Sequence, residues 1–470
     1  MKLFNIIILV ATVIHAVGAF QAQHPQLNGW YPCADNTFSD AGSSDSVSAE
    51  CATYVAPLCY PGICKTPQFA TPHVNIFVKR MLATKGDAKT ATNVWLLQGG
   101  PGDGSSGLEG SMIVLHNELK GAANIYTMDH RGTGRSTFLD CVAAQYPLEG
   151  SMIALHTELK GAANIYTMDH RGTGRSTFLD CVAAQATTTG SPDGNSIKPS
   201  EVPACAQALE NEYGDLASFS VTSAATDVVT FISKFTNGAN TIVYGVSYGT
   251  VLVERIMHLN PLEVTGYVLD GVATSSGSSV AKFQYMSRFD VDFGEVGDYF
   301  LSLCTKDPSC SAHFKRPNTL QKTLQNVLKS FDKHPNSSCA TVMSKFDMGF
   351  TILEGTHLSK PTPSMGLRYM LGRLLMNEGL RKFIPLVVYR LSRCDKNDIK
   401  ALTQFVTAIS QIDSTADQEE AFTSLLLYYL IIFSEMWETP QPSMSVMESR
   451  FNRNLRHVIN WVTVTMLHMA

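Results

Sequence analysis

Two hydrophobic rhythms divide this chain near residue 273. Upstream of it, short apolar runs stand between glycine-bearing turns: His73–Met81, Thr92–Leu97, a run around Ile125, Thr241–Tyr244 and a run around Val268. Apolar runs of this length predict buried strands, and Val221–Phe235 and Thr250–Leu259 between them carry apolar residues at helical spacing. Strands that alternate with helices predict a mainly parallel sheet with helices on its faces. Downstream, leucines and methionines recur at helical spacing to about Trp461, broken by loops at Pro308, Pro335 and Pro361-Thr-Pro363. Residues 20–72 are rich in Ser, Ala, Pro and Cys with little periodicity, so they read as a disulfide-tied lead-in to a core at 73–273, with a helical region at 274–470.

An internal repeat interrupts the alternation. Residues 108–145 align with 148–185, and only Val114/Ala154 and Asn117/Thr157 differ. Each copy holds one helix, one strand and an Asp-His-Arg-Gly-Thr-Gly-Arg-Ser loop, and two copies are too few for a solenoid. The sheet has a slot for one of them. The first copy is correctly spaced from the glycine loop upstream, and the second joins correctly to the polar stretch 186–203. Near-identity confined to one place points to a recent duplication or a fault in the gene model rather than to a functional tandem.

The first residues change the picture of where the chain works. Lys2, an apolar stretch from Leu3 to Ala16 and the small residues Val17-Gly18-Ala19 form a secretory leader over 1–19, interrupted by Asn5 and His15 and short for a membrane span. The apolar run Leu425–Phe433 is shorter still and reads as a buried helix, so no stable membrane span is expected. Secretion makes the 11 cysteines legible as disulfides. Cys59 with Cys64 and Cys304 with Cys310 are spaced to close short rings, while Cys205 can serve only one of the duplicated Cys141 and Cys181. Asn336-Ser337-Ser338 is the sole N-glycosylation sequon. A net charge of −5 carries no electrostatic footprint for nucleic acid, which leaves a peptide or small-molecule substrate. His116 and His156 each precede a glutamate by two residues and read as polar surface positions, and no metal-ligand spacing occurs, so neither metal nor cofactor is expected.

The chemistry concentrates at Gly245-Val246-Ser247-Tyr248-Gly249, which follows a strand and opens a helix. A serine hydroxyl is a weak nucleophile unless it is held exposed beside a base, and flanking glycines permit the sharp turn that exposes it. Gln98-Gly99-Gly100-Pro101-Gly102 follows another strand, and such a loop can aim an N–H at the same point as the backbone N–H of Tyr248. With Met128-Asp129-His130-Arg131-Gly132-Thr133-Gly134-Arg135-Ser136, Tyr244–Thr250 and Val268-Leu269-Asp270-Gly271-Val272, these motifs fall in the order of a known group. The chain resembles the prolyl and tripeptidyl aminopeptidases, serine peptidases of the α/β-hydrolase fold.

That resemblance spans roughly residues 50–275. It implies Ser247 as nucleophile, N–H groups near Gly100 and Tyr248 as the oxyanion hole, a helical cap after the Val268 strand, and two final core strands bearing an aspartate and a histidine. In proline-specific relatives, cap glutamates bind the substrate's free amino terminus, and Glu435 and Glu438 beside Trp437 are the local candidates, with a solvated charged turn as the plainer reading. The departure lies after Ala273, where no strand-loop sequence with an aspartate and a histidine follows. Asp227 and Asp270 read as helix or strand ends where a carboxylate caps or pins a loop. His457 lies in a helix-like stretch and His468 two residues from the last one, so the acid and the base stay unassigned and impaired activity is expected. A secreted carboxylesterase and a non-catalytic truncated product are the alternative readings.

Overall fold

The computed structural model describes residues 26–37, 48–137, 202–273, 285–314, 319–346, 362–412 and 424–443, with short fragments between and after them. The expected leader at 1–19, the second repeat copy, Cys141, Cys181, the side chain of Cys205, His457 and His468 lie outside the described residues.

Among the described residues one eight-stranded sheet forms. Its strands are β1 (Gln26–Leu27), β2 (Tyr31–Cys33), β3 (Ala49–Pro57), β4 (His73–Met81), β5 (Thr92–Leu97), β6 (Ala123–Met128), β7 (Thr241–Val246) and β8 (Val264–Asp270). The order is β1-β3-β4-β6-β5-β7-β8, with β2 also on β3. The half that carries the glycine loops, β6-β5-β7-β8, is parallel throughout, and β4 joins it antiparallel. This mixed sheet, with a strand-turn-helix elbow on β7, is the α/β-hydrolase fold.

Helices cover both faces because β5 is apolar on both. Trp95 and Leu97 enter one core cluster, and Val94 and Leu96 enter the other. On the first face Trp95 stacks on Tyr126 at 5.1 Å, with Phe231 of helix α3 (Val221–Phe235) edge-on at 5.5 Å. On the second face α1 (Glu109–Glu118) buries Met112 against Val94, Leu96 and Ile125. Helix α2 (Val202–Tyr213) precedes α3, and α4 (Gly249–Leu259) follows β7. Both α1 and β6 come from the first repeat copy, which therefore occupies the slot between β4 and β5.

Two expectations change. The lead-in contains β3, which pairs antiparallel with β4 from Ala49↔Met81 to Pro57↔His73, so the sheet starts well before residue 73. Small residues at Ala49, Cys51 and Ala52 hide its periodicity, and a disulfide from Cys33 to Cys51 ties β2 to it. Asp227 is not at a helix end; it sits within α3, fully buried.

Beyond β8 the described residues are helical: α5 (Phe289–Leu303), α6 (Leu320–Lys333), α7 (Ser338–Met343), α8 (Pro363–Met376), α9 (Ile384–Arg393), α10 (Lys396–Ile412) and α11 (Leu425–Glu435), besides single turns. Pro363 starts α8 at a position where its missing N–H costs nothing, with Thr362 capping Met365 N. The short rings Cys59–Cys64 and Cys304–Cys310 form, and Cys339–Cys394 joins α7 to the end of α9. Among the described residues no helix is long and apolar enough to cross a membrane.

Asp227 meets Arg131 in a two-pronged pair: Arg131 Nε and Nη2 donate to its two carboxylate oxygens, each at 2.6 Å, and both side chains are fully buried. Removing one partner strands a charge in a dry interior, which costs about 3–5 kcal/mol. Asp227→Ala is expected to lower stability by that amount in urea titration, and the double change Arg131→Met with Asp227→Leu to recover only part of it, because Leu58 O, Ser218 O and Pro57 O lose their donor as well. A loss below about 1 kcal/mol in the single variant contradicts a charge-based cost.

Candidate active site

The elbow is built by close approach. A Cβ on Gly245 would stand 2.3 Å from Gly249 O, and one on Gly249 would stand 2.4 Å from Leu97 O, so both glycines are needed for β7, the turn and β5 to meet. Ser247 adopts φ 55°, the left-handed region that side-chain-bearing residues rarely enter. Its N–H donates to Asp270 O at 2.8 Å, and its carbonyl accepts from Thr250 N at 2.9 Å and Thr250 Oγ1 at 2.7 Å. The turn is thus fastened to the end of β8 and to the first turn of α4. Ser247 is exposed, while Tyr248 and Gly249 behind it are buried.

Because Leu97 pairs with Gly245 in parallel strands, the two loops leave the same edge of the sheet side by side. A Cβ on Gly99 would lie 3.1 Å from Ser247 Cβ and 3.6 Å from its Oγ, and Gly100 has φ 110°. Gly99 N–H donates to Gln98 Oε1 at 3.1 Å. The N–H groups of Gly100 and Tyr248 enter no hydrogen bond among the described residues. An exposed hydroxyl at a helix start, with uncommitted N–H groups on its own turn and on the neighbouring glycine loop, is a group that can attack a carbonyl carbon and hold the charge that forms on its oxygen.

A docking contact without a trace in the local sequence covers the glycine loops. Ser424, which caps α11, donates its N–H to Gly102 O at 2.9 Å and its hydroxyl to Leu139 O. A Cβ on Gly102 would lie 2.4 Å from Ser424 O, and one on Gly132 would lie 2.8 Å from Leu427 Cδ2. The glycines of both loops therefore make room for the helical region. At the far end of α11, Glu435 accepts from Val221 N at 2.8 Å and faces Arg255 at 3.8 Å. Burial raises the Glu435 carboxyl above its usual range, against the lowering effect of Val221 N–H and Arg255. Glu438 is held by Arg450 and Ser287, and the Arg450 hydrogen bond keeps its carboxyl low.

The remaining candidates fall elsewhere. Asp227 belongs to Arg131, and it also accepts from Tyr60 OH at 2.6 Å. Asp270 is exposed and takes a hydrogen bond from Tyr244 OH at 2.8 Å, while its backbone holds Ser247. His116, read as a surface residue, is buried, and its Nε2 lies 3.0 Å from Leu82 O. His130, within the Met128–Ser136 motif, is buried, its ring lies 5.8 Å from that of Tyr248, and its Nε2 has no hydrogen-bond partner among the described residues. Among the described residues no histidine hydrogen-bonds Ser247, and no cluster of side chains suited to a metal ion occurs.

No protein-family description and no curated protein matches this sequence. Similar solved structures include acetyl xylan esterase 1 of Thermoanaerobacterium sp. (12% identity over 59% of this chain and 61% of that one, TM-score 0.27), an epoxide hydrolase of Aspergillus niger (12%, 59% and 48%, TM-score 0.24) and a peroxisomal α/β-hydrolase of Saccharomyces cerevisiae (12%, 87% and 97%, TM-score 0.25). The chain spans about three fifths of the first and half of the second.

Replacing Ser247 by glycine relieves the positive φ and is expected to stabilise the fold by about 1 kcal/mol, although it deletes the hydroxyl. A lower denaturation midpoint for this variant contradicts strain at the turn. Burial pushes the His130 imidazole down to about 4, with Asp129 pulling the other way. The unfolded chain, with an ordinary histidine value of about 6.5, then binds the proton that the folded state refuses. Stability from this group is whole above pH about 6.5 and falls as pH drops toward 4, by about 3 kcal/mol at most. His130→Phe should flatten the stability profile across that window; an unchanged slope would show that His130 is not held neutral.

Proposed function

We propose that the protein is a secreted serine hydrolase of the aminopeptidase type. The observation that carries this reading is Ser247 at φ 55°, exposed and packed beside Gly99, with the N–H groups of Gly100 and Tyr248 uncommitted at the same sheet edge. The choice of an aminopeptidase rests on the four ordered motifs at Gln98–Gly102, Met128–Ser136, Tyr244–Thr250 and Val268–Val272. Secretion is supported by the leader sequence at 1–19 and by four disulfides among the described residues.

In this reading Ser247 Oγ bonds to the carbonyl carbon of the first peptide bond, and the carbonyl electron pair moves to an oxygen held by Gly100 and Tyr248 N–H. The oxyanion collapses, the C–N bond breaks and the amine leaves with the proton that the Ser247 hydroxyl gave up; water then adds to the acyl carbon, its proton returns to Ser247 Oγ as that C–O bond breaks, and the acid is released. Neither carboxylate considered for the substrate's amino group is assigned, since Glu438 is committed to Arg450 and Ser287 and Glu435 to Val221 N and Arg255. Without a base against Ser247, the rate falls by roughly 10⁴ to 10⁶, leaving what the oxyanion hole and binding supply.

The test is to express residues 20–470, label with a fluorophosphonate, and assay aminoacyl-coumarins against short acyl esters. The expected outcome is slow labelling and slow aminoacyl turnover, both abolished in Ser247→Ala. Turnover that survives in Ser247→Ala removes this serine from the reaction. Fast turnover that depends on Ser247 reveals a competent base, and a preference for acyl esters makes the protein an esterase.

A further inference from the structure

The helical region holds a cavity of about 710 Å³, within the range of small-ligand sites of roughly 300–1,000 Å³. No lining residue comes from the sheet or the glycine loops; Phe314, Asn326, Ser330, Ser337 and Tyr389 are among them. Among the described residues no Asp, Glu, Lys or Arg lines it, and His313 and Tyr389 are the titratable side chains that do. A neutral molecule with both apolar faces and hydroxyls finds aromatic rings for the former and Asn326, Ser330 and Ser337 for the latter.

One wall of this groove is the sequon. Ser337 is the middle residue of Asn336-Ser337-Ser338, and Asn336 is exposed in the turn between α6 and α7, where Ser337 N donates to His334 O at 3.0 Å. Ser337 caps α7 without using its side chain, so its hydroxyl is free to serve the groove. Cys339 and Cys394 also line the cavity, and their disulfide, with Cα atoms 6.1 Å apart, fixes α7 against the end of α9. A wall fixed in this way needs little ordering on binding.

We propose that Asn336 carries an N-linked glycan and that this groove seats its first N-acetylhexosamine units. The inference rests on the secretory reading, because the transfer needs a polyprenyl-diphosphate-linked oligosaccharide and its transferase. In that step the Asn336 amide nitrogen bonds to the anomeric carbon, the anomeric C–O bond breaks, polyprenyl diphosphate leaves with the electron pair, and one amide proton passes to the transferase. Transfer acts on the unfolded chain, so the folded structure must only leave Asn336 outside and give the sugar somewhere to lie. The apolar C–H face of the sugar packs on Phe314 and Tyr389, and its N-acetyl and hydroxyl groups exchange water for Asn326, Ser330 and Ser337.

The full chain is expressed in a glycosylating secretory host, once with its own N-terminus and once with a foreign leader in place of residues 1–19. Glycopeptide mass mapping should find Asn336 modified in both, and Ser338→Ala should abolish the modification. Hydrogen exchange in peptides covering α6 and the end of α9 should be about threefold or more slower than after enzymatic removal of the glycan. In Tyr389→Ala the glycan should remain on Asn336 while that protection is lost. Unmodified Asn336 behind the foreign leader overturns the site. Modification without any exchange difference overturns the seating. Modification behind the foreign leader alone overturns the secretory reading, and with it the natural occurrence of the glycan.

Discussion

The Arg131 guanidinium is the point on which the separate parts of the sheet converge. Besides the two bonds to Asp227, it donates to Leu58 O at 2.8 Å, Ser218 O at 2.7 Å and Pro57 O at 3.1 Å. One side chain thus joins the loop after β6 to the end of β3, to the turn before α3 and to α3 itself. Arginine suits this role because its planar fork presents five donors in fixed directions. Burial works against its charge, but Asp227 outweighs burial and keeps Arg131 firmly protonated. The pair is costly to break and demanding to form, so it selects one arrangement of the segments that frame the candidate site.

A second set of buried charges locks the other side of the same loop. Asp129 accepts from Ser105 N at 2.7 Å, Ser105 Oγ at 2.6 Å, and Arg135 N and Nε at 2.8 Å each. Burial alone would raise its carboxyl, yet Arg135 and Ser105 hold it below the usual range. Gly134 lies so close that a Cβ there would stand 2.4 Å from Asp129 Oδ2. Glu109 takes Lys79, Thr37 and Arg135, which ties α1 to β4 and to the segment before β3. Fully satisfied networks of this kind rigidify what they connect. The strain at Ser247 is tolerated because its turn is pinned from β8, from α4 and from the Gly99 loop at once.

Much of the sheet was legible because its evidence is local. Thr92–Leu97 and Val221–Phe235 end where periodicity says they end, and the elbow announces itself through two glycines around a serine. β3 was missed because Ala49, Cys51 and Ala52 are too small to mark a strand, and its pairing with β4 supplies what its sequence lacks. Asp227 did leave a trace: an acidic residue on the apolar face of an amphipathic helix needs a buried partner, and that partner is ninety-six residues away. The docking of α11 left none, since Gly102 and Gly132 look like turn glycines until Ser424 and Leu427 fill the space beside them.

Local sequence dictates the alternation of strands and helices, the sharp turn at Ser247 and the glycine loop at Gly99, because each follows from residues adjacent in the chain. It did not decide which repeat copy enters the sheet, since the two are nearly the same and only the tertiary structure sets the first between β4 and β5. Nor did it decide the partners of Arg131, the environment of His130 or the commitments of Glu435 and Glu438. Charge, burial and hydrogen bonding are properties of neighbours in space, and these neighbours meet only when the sheet, the loops and the helical region have closed on one another.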